Sequence, residues 1–142
     1  MYALALGRWP LCHHSAMTDT PFPMPDPVIH GYHAHVYFDA TTLAQARALC
    51  EAAAARFPLK MGRVHEKPVG PHPDGSCQLA FKAALLADVL PWLLLNRSGL
   101  VVFVHPITGQ DLLDHRDRAL WMGTVRPLDL SVLPEHSTSH DL

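Results

Sequence analysis

The alternation of polar and apolar positions predicts a first strand over residues 31–39. His33, His35 and Tyr37 alternate there with small or apolar residues, at the two-residue period of a β-strand. The two histidines therefore leave the same face of the strand, with Cα atoms roughly 7 Å apart. We expect helices to cover the opposite, apolar face and the histidine face to be left open.

Later segments change period several times, which predicts alternating helices and strands. Apolar residues recur at helical spacing after Thr42, and Pro58 ends that helix. Pro91 is expected to kink a second helix or to start a new turn within it. The predicted elements after the first strand are a helix at 43–57, strands at 59–66 and 76–81 with a loop at 69–75 between them, a helix at 83–95, a strand at 100–104 ending at His105, loop through 117, and one turn at 119–121.

The order strand, helix, strand, strand, helix, strand predicts an α+β fold, a ferredoxin-like βαββαβ sandwich with an antiparallel four-stranded sheet. Within it we expect the first and third strands to be central and parallel, with the fourth antiparallel beside the first. His105, at the end of the fourth strand, then lies beside His33 and His35. The loop that carries His72 is expected to lead toward the same end of the sheet.

Length and composition predict one domain. The 142 residues, 49% of them hydrophobic, suffice for one core. We place a disordered, proline-rich extension at 1–28, the domain at 29–127 and a C-terminal tail at 128–142. The apolar stretch before Arg8 is too short for a signal-peptide core, and three widely spaced cysteines without a CxxC pair fit a reducing compartment, so a cytoplasmic location is predicted.

Charge indicates what kind of partner to expect. The formal net charge is -2 and the chain has no dense Lys/Arg run, which argues against nucleic acid and anionic membranes and favours a small molecule. A sheet covered on one side has a second face to protect. We therefore predict a homodimer, with Trp121, Met122, Leu128 and Leu130 as apolar residues that could help cover that face.

Histidine is the unusual component of the composition, with 11 residues. His33, His35, His72 and His105 are expected to converge from three separate segments, and His115 could be a fifth member. Imidazoles with few thiols suit zinc, copper, iron or nickel better than magnesium or calcium. Spacing alone does not choose between iron and zinc.

Each of these residues also has an ordinary structural interpretation. His72 could be a surface loop residue, His105 a polar cap at a strand end, and His115 part of a solvated, charged loop. Tyr37 and Gln78 could line a substrate pocket or could be plain sheet surface.

Several motifs, in order, resemble the DOPA 4,5-dioxygenase family. They are Tyr32-His-Ala-His-Val-Tyr-Phe38, Val69-Gly-Pro-His-Pro73, Pro91-Trp92, Leu94-Leu-Asn96, Val104-His-Pro-Ile-Thr-Gly109, Asp114-His115 and Trp121-Met-Gly123. The resemblance implies a non-haem Fe2+ extradiol dioxygenase that uses O2 to open the ring of a catechol, DOPA or a similar o-diphenol.

Our hypothesis assigns His33, His35 and His105 as metal ligands, because paired strands would fix them. His72 is then a further ligand or an acid/base, and His115 an acid/base or a residue that orients a ligand. A carboxylate for the two-His-one-carboxylate arrangement is not evident, and Glu66, Asp111 and Asp114 are the possible substitutes. The alternatives are a zinc-dependent hydrolase or lyase, and a noncatalytic small-ligand-binding module of the same fold.

Overall fold

The computed structural model describes residues 27–137 and Leu142. Most of the predicted extension at 1–28 therefore lies outside the described residues. The elements are β1 (Gly31–Phe38), α1 (Leu43–Arg56), β2 (Lys60–His65), β3 (Gly75–Lys82), a 3-10 turn (Ala83–Leu85), α2 (Leu86–Asn96), β4 (Val102–Ile107), α3 (Asp111–Arg116), β5 (Leu120–Met122) and a second 3-10 turn (Leu130–Val132).

The strands form one antiparallel sheet of five strands in the order β2-β3-β1-β4-β5. The α+β class and the antiparallel sheet are confirmed, but the sheet has one strand more than the four predicted. β1 and β3 run antiparallel, with Gly31 opposite Lys82 and Phe38 opposite Gly75, so the parallel pairing that we expected is wrong. α1 carries the chain back so that β2 runs parallel to β1, and the β2–β3 hairpin reverses β3 between them.

The C-terminal third differs most from the prediction. Residues 111–116 form α3 and residues 120–122 form β5, where we expected loop and a single turn. β4 also continues past His105 to Ile107, through Pro106. Since β5 pairs only with Val102–Val104, Pro106 lies where the outer edge of β4 is unpaired and a missing N–H is tolerated.

The hydrophobic core lies between the sheet and the helices α1 and α2. Ala34 and Val36 of β1 are fully buried there, as the alternation predicted, together with Cys77 and Leu79 of β3. Pro91 lies inside α2, and the helix begins at Leu86 rather than anew at the proline. Within the described part of the chain, no helix is long and apolar enough to cross a membrane.

We expected the histidine face to be open, but it is covered. Of the covering segments, the sequence analysis named only residues of the C-terminal part of the chain as possible cover. The 66–74 loop, α3 and the segment after β5 lie over that face. Asp129 N–H donates to Pro71 O at 2.9 Å, and Ser137 N–H donates to Gly109 O at 2.7 Å. As a result His35 and His105 are each only 4% exposed.

Candidate metal centre

Strand register brings three histidines together. His33 and His105 are directly opposite each other in the β1–β4 pair, and His35 lies two residues along the same face of β1. One ring nitrogen from each of the three lies within 4.8 Å of the others. These are the residues that the sequence predicts as ligands, and their role remains a proposal.

The ring nitrogens of His35 and His105 converge closely. His105 Nδ1 lies 2.8 Å from Pro106 O, and because a carbonyl oxygen only accepts, this nitrogen carries the proton. His105 Nε2, which is then unprotonated in the neutral ring, lies 3.1 Å from His35 Nε2. Two imidazole nitrogens bound to one ion at about 2.1 Å lie roughly 3.0–3.4 Å apart, so this spacing suits a shared metal.

Burial keeps these rings neutral. Burial, followed by repulsion from neighbouring imidazoles, holds the pKa of His35 well below its ordinary value of 6.5. The pKa of His105 is lowered well below the same value, mainly by burial and then by His115. Metal binding requires the neutral, unprotonated nitrogen, so the rings are competent ligands at neutral pH.

His72 reaches the cluster from the loop between β2 and β3. Because β3 runs antiparallel to β1, this loop ends beside Phe38, at the far end of β1 from the one we expected. The loop nevertheless lays the His72 ring against His35, with centroids 4.1 Å apart. The Tyr37 hydroxyl lies 2.7 Å from His72 Nδ1, and burial lowers the pKa of His72 to about 4.

His115 reaches the cluster from α3. Its ring lies 3.9 Å from that of His105, and its Nδ1 donates to Asp111 O at 2.7 Å. Burial lowers the pKa of His115. The buried Asp114 fixes α3 to the end of β4, because its carboxylate accepts from Thr108 N–H at 2.9 Å and from Arg118 Nη1 at 2.9 Å.

Two aromatic residues complete the centre: Phe103, which the sequence analysis did not single out, and Trp121, which it named only as a residue that could help cover this face. Phe103, fully buried, lies between the histidines, with ring centroids 5.7 Å from His35 and 5.8 Å from His115. Trp121 of β5 stacks on Phe103 at 4.5 Å. The place of Phe103 could have been predicted from the sequence, because Phe103 lies two residues before His105 and therefore shares the same face of the strand.

An ion pair clamps the His72 loop to the segment after β5. Arg126 Nε and Nη2 donate to the two carboxylate oxygens of Asp74 at 2.7 and 2.9 Å. Together with the bond from Asp129 to Pro71, this ties the loop down on both sides of His72. The clamp explains why a loop residue is only 8% exposed.

The remaining candidates are placed differently. Gln78 lies opposite His35 on the same face and is half-buried, whereas the Tyr37 hydroxyl is hydrogen-bonded to His72 Nδ1. Asp114 has its carboxylate engaged, and Glu66 is exposed. Among the described residues, the group of converging metal-binding atoms therefore contains imidazoles and no carboxylate.

A small cavity of about 120 Å³ opens beside this cluster. His33, His105 and His115 line it, together with Pro106, Ile107, Asp111, Asp114 and Ser137. His72 and Tyr37 do not line this cavity. A small molecule in this cavity would therefore meet His115 rather than His72.

The fold and the centre define a class of protein: an α+β chain with a buried cluster of neutral imidazoles suited to a transition metal. The comparison with protein families agrees. The Dopa 4,5-dioxygenase family profile matches residues 32–132, and the chain belongs to that family.

Individual relatives extend the comparison. A DOPA 4,5-dioxygenase from Amanita muscaria is 35% identical over 118 residues, covering 77% of this chain and 52% of the relative. An uncharacterized 21.2 kDa protein from Botryotinia fuckeliana is 35% identical over 123 residues, covering 78% and 67%. A crystal structure of a candidate dioxygenase from Nostoc punctiforme superposes with a TM-score of 0.72 at 45% identity, covering 73% of this chain and 90% of that one. The chain thus spans about half the length of the Amanita relative.

Proposed function

We propose that the protein is a non-haem Fe2+ extradiol dioxygenase that opens the ring of a catechol, DOPA or a similar o-diphenol, with O2. The observation that carries the proposal is the group formed by His33, His35 and His105, three imidazoles with converging nitrogens, in a member of the Dopa 4,5-dioxygenase family. The alternative of a zinc hydrolase fits the same donors, but the family points to oxygen chemistry.

In this proposal His33, His35 and His105 hold the iron. Iron(II) bound there would supply the redox chemistry that lets O2 react with an aromatic ring. The paired strands β1 and β4 fix the spacing of the ligands, and the bond from His105 Nδ1 to Pro106 O orients that ring. The surrounding protein excludes water, which strengthens electrostatic interactions inside the centre.

His72 and His115 are proposed as the acid/base residues. Each contacts a proposed ligand, His72 the ring of His35 and His115 the ring of His105. Burial lowers the pKa of both rings, so each is neutral at neutral pH, and a neutral imidazole can accept a proton from a catechol hydroxyl at a bare nitrogen or donate a hydrogen bond from its N–H. Because His115 also lines the cavity, it is the better placed of the two to touch a substrate.

The finer architecture is also part of the proposal. The order β2-β3-β1-β4, antiparallel throughout with α1 and α2 on one face, is what a ferredoxin-like sandwich requires, and β5 would be an addition at its edge. Substrate contacts from Tyr37 and Gln78, homodimer formation and a cytoplasmic location remain predictions from the sequence.

The test is anaerobic loading of the full chain with iron(II), followed by O2 and either DOPA or caffeate. We expect oxygen uptake and a yellow ring-opened product with iron and none with zinc. His35→Ala and His105→Ala should abolish both signals, while His136→Ala, which removes an exposed histidine, should retain them. Iron binding without consumption of any catechol would refute the proposed reaction, and absence of metal binding would refute the proposed site.

A further inference from the structure

The two proposed acid/base histidines are held by different kinds of hydrogen-bond partner. His115 Nδ1 lies 2.7 Å from Asp111 O, a backbone carbonyl. His72 Nδ1 lies 2.7 Å from the Tyr37 hydroxyl. The partner of the same ring nitrogen is thus a pure acceptor in one case and a group able to donate in the other.

A neutral imidazole carries one proton, on either Nδ1 or Nε2, and the bond made by one nitrogen decides the state of the other. The Asp111 carbonyl can only accept, so His115 carries its proton on Nδ1 and its Nε2 is bare. The phenol of Tyr37 is the stronger acid and the imidazole nitrogen the stronger base, so Tyr37 donates to His72 Nδ1. His72 then carries its proton on Nε2.

We propose that Tyr37 and the Asp111 carbonyl hold His72 and His115 in opposite tautomers, so that His72 offers a hydrogen-bond donor to the centre and His115 an acceptor. Tyr37 is then a positioning residue for His72. In the metal-free protein this leaves His72 a hydrogen-bond donor at Nε2, in contrast to the bare Nε2 of His115.

The packing around Tyr37 supports a fixed orientation. Its ring lies 6.0 Å from Trp121 and 6.5 Å from Phe103, and the clamp between Asp74 and Arg126 holds the loop that carries its partner. Both ends of the hydrogen bond are therefore immobilised by contacts that do not involve the hydroxyl. Removing the hydroxyl alone should leave these contacts in place.

The meaning of the two tautomers for catalysis rests on the proposed function. A catechol hydroxyl in the cavity beside His115 would meet an acceptor, and an oxygen beside His72 would meet the N–H of that ring. One histidine of each kind beside the proposed ligands distinguishes the two oxygens of a reacting pair by hydrogen bonding.

The tautomers can be determined without measuring enzymatic activity. In metal-free, 15N-labelled full-length protein at about pH 8, where histidines are neutral, long-range proton–nitrogen NMR spectra identify the protonated nitrogen of each ring. We expect Nε2–H for His72 and Nδ1–H for His105 and His115. In Tyr37→Phe the His72 signals should move to the other tautomer or to a mixture, while those of His105 and His115 stay in place.

Tyr32→Phe is the matched control, because it removes a hydroxyl from the opposite face of the same strand, where Tyr32 packs against the core. It should leave the His72 spectrum unchanged. A protonated Nδ1 on His72 in the wild type, or an unchanged His72 in Tyr37→Phe, would overturn the inference. If the expected tautomers are found in a protein that consumes no catechol, the inference about the tautomers holds and only the proposed function is refuted.

Discussion

The two faces of the sheet are built by alternate residues of the same strands, yet they have opposite chemistry. On the helix-covered face, Val36 and Leu79 are fully buried among other apolar side chains. On the other face, His35 is nearly as buried but lies among imidazoles and aromatic rings. The two faces are therefore similarly buried, and they differ in the hydrogen-bond donors and acceptors that surround each side chain.

The difference teaches that the histidine face is built to hold polar atoms away from water. The Nδ1 atom of His105 is hydrogen-bonded to Pro106 O, and the Nδ1 atom of His72 is hydrogen-bonded to the Tyr37 hydroxyl. Burying neutral imidazoles costs stability unless hydrogen bonds or a metal compensate. Metal affinity should therefore reside on the histidine face, whereas buried apolar side chains should contribute to stability on both faces.

The strongest test of this division compares two buried phenylalanines on opposite faces. Phe81→Ala on the apolar face and Phe103→Ala on the histidine face should each lower the free energy of unfolding by about 3–5 kcal/mol, since both leave a cavity. Urea titration measures this loss. Only Phe103→Ala should also weaken metal binding, because Phe103 packs against His35 and His105. Equal metal affinity in the two variants would contradict the division.

Removing a proposed ligand should separate affinity from stability. His35→Ala should weaken the binding of a zinc or iron(II) probe by at least about 100-fold. Loss of a residue that only hydrogen-bonds to a ligand costs up to about 100-fold in affinity, and loss of a ligand itself should cost at least as much. The free energy of unfolding of the metal-free protein should change by less than about 2 kcal/mol, because a desolvated polar ring is removed along with its contacts. Calorimetric titration and urea unfolding measure the two quantities, with His136→Ala as the control. Undiminished affinity would exclude His35 as a ligand.

Acid should destabilise the metal-free protein through the histidine face. The pKa of His72 is lowered from 6.5 to about 4 in the folded state, so its contribution to stability is present above about pH 6.5 and is lost as the pH falls toward 4. For His72 alone the loss at pH 5 amounts to about 2 kcal/mol. His72→Gln should flatten the dependence of unfolding free energy on pH by that amount. An identical curve would show that His72 is not desolvated.

The clamp on the His72 loop should give the smallest effect on stability. Arg126→Gln breaks a partly exposed ion pair and should cost about 1 kcal/mol or less. It should, however, loosen the loop and raise the rate of amide hydrogen exchange near His72. Arg116→Gln, which breaks the more exposed pair with Asp117, should change neither quantity. Equal exchange rates in both variants would count against a positioning role for the clamp.

The sequence predicted the parts of the molecule that have a strong local period. β1, α1 and β3 were located within two residues, because alternation and helical spacing are legible in Gly31–Phe38 and in the alanine-rich α1. The same period placed His33 and His35 on one face. The antiparallel β1–β4 pairing, which sets His105 opposite His33, followed from the order of elements.

What escaped prediction depends on contacts between distant residues. α3 and β5 have only six and three residues, too short for a period to emerge. Asp114 fixes α3 through its hydrogen bonds to Thr108 and Arg118, and Arg126 fixes the His72 loop. The spacing of residues in the sequence does not predict such pairs. We also expected the last long strand to end at His105, just before Pro106. Because Pro106 lies where the outer edge of β4 is unpaired, β4 continues to Ile107.

The pairing of β1 with β4 also sets the order of events as the chain folds. His35 and His105 are 70 residues apart in sequence, so in an unfolded chain His105 is not held near the neighbouring pair His33 and His35. Joining strands so distant is slow, because the ends of a long loop must meet before their contacts form. In the proposed site the third ligand would therefore join late, and metal loading would follow closure of the sheet. Release of a bound ion would then report the first opening between these two strands.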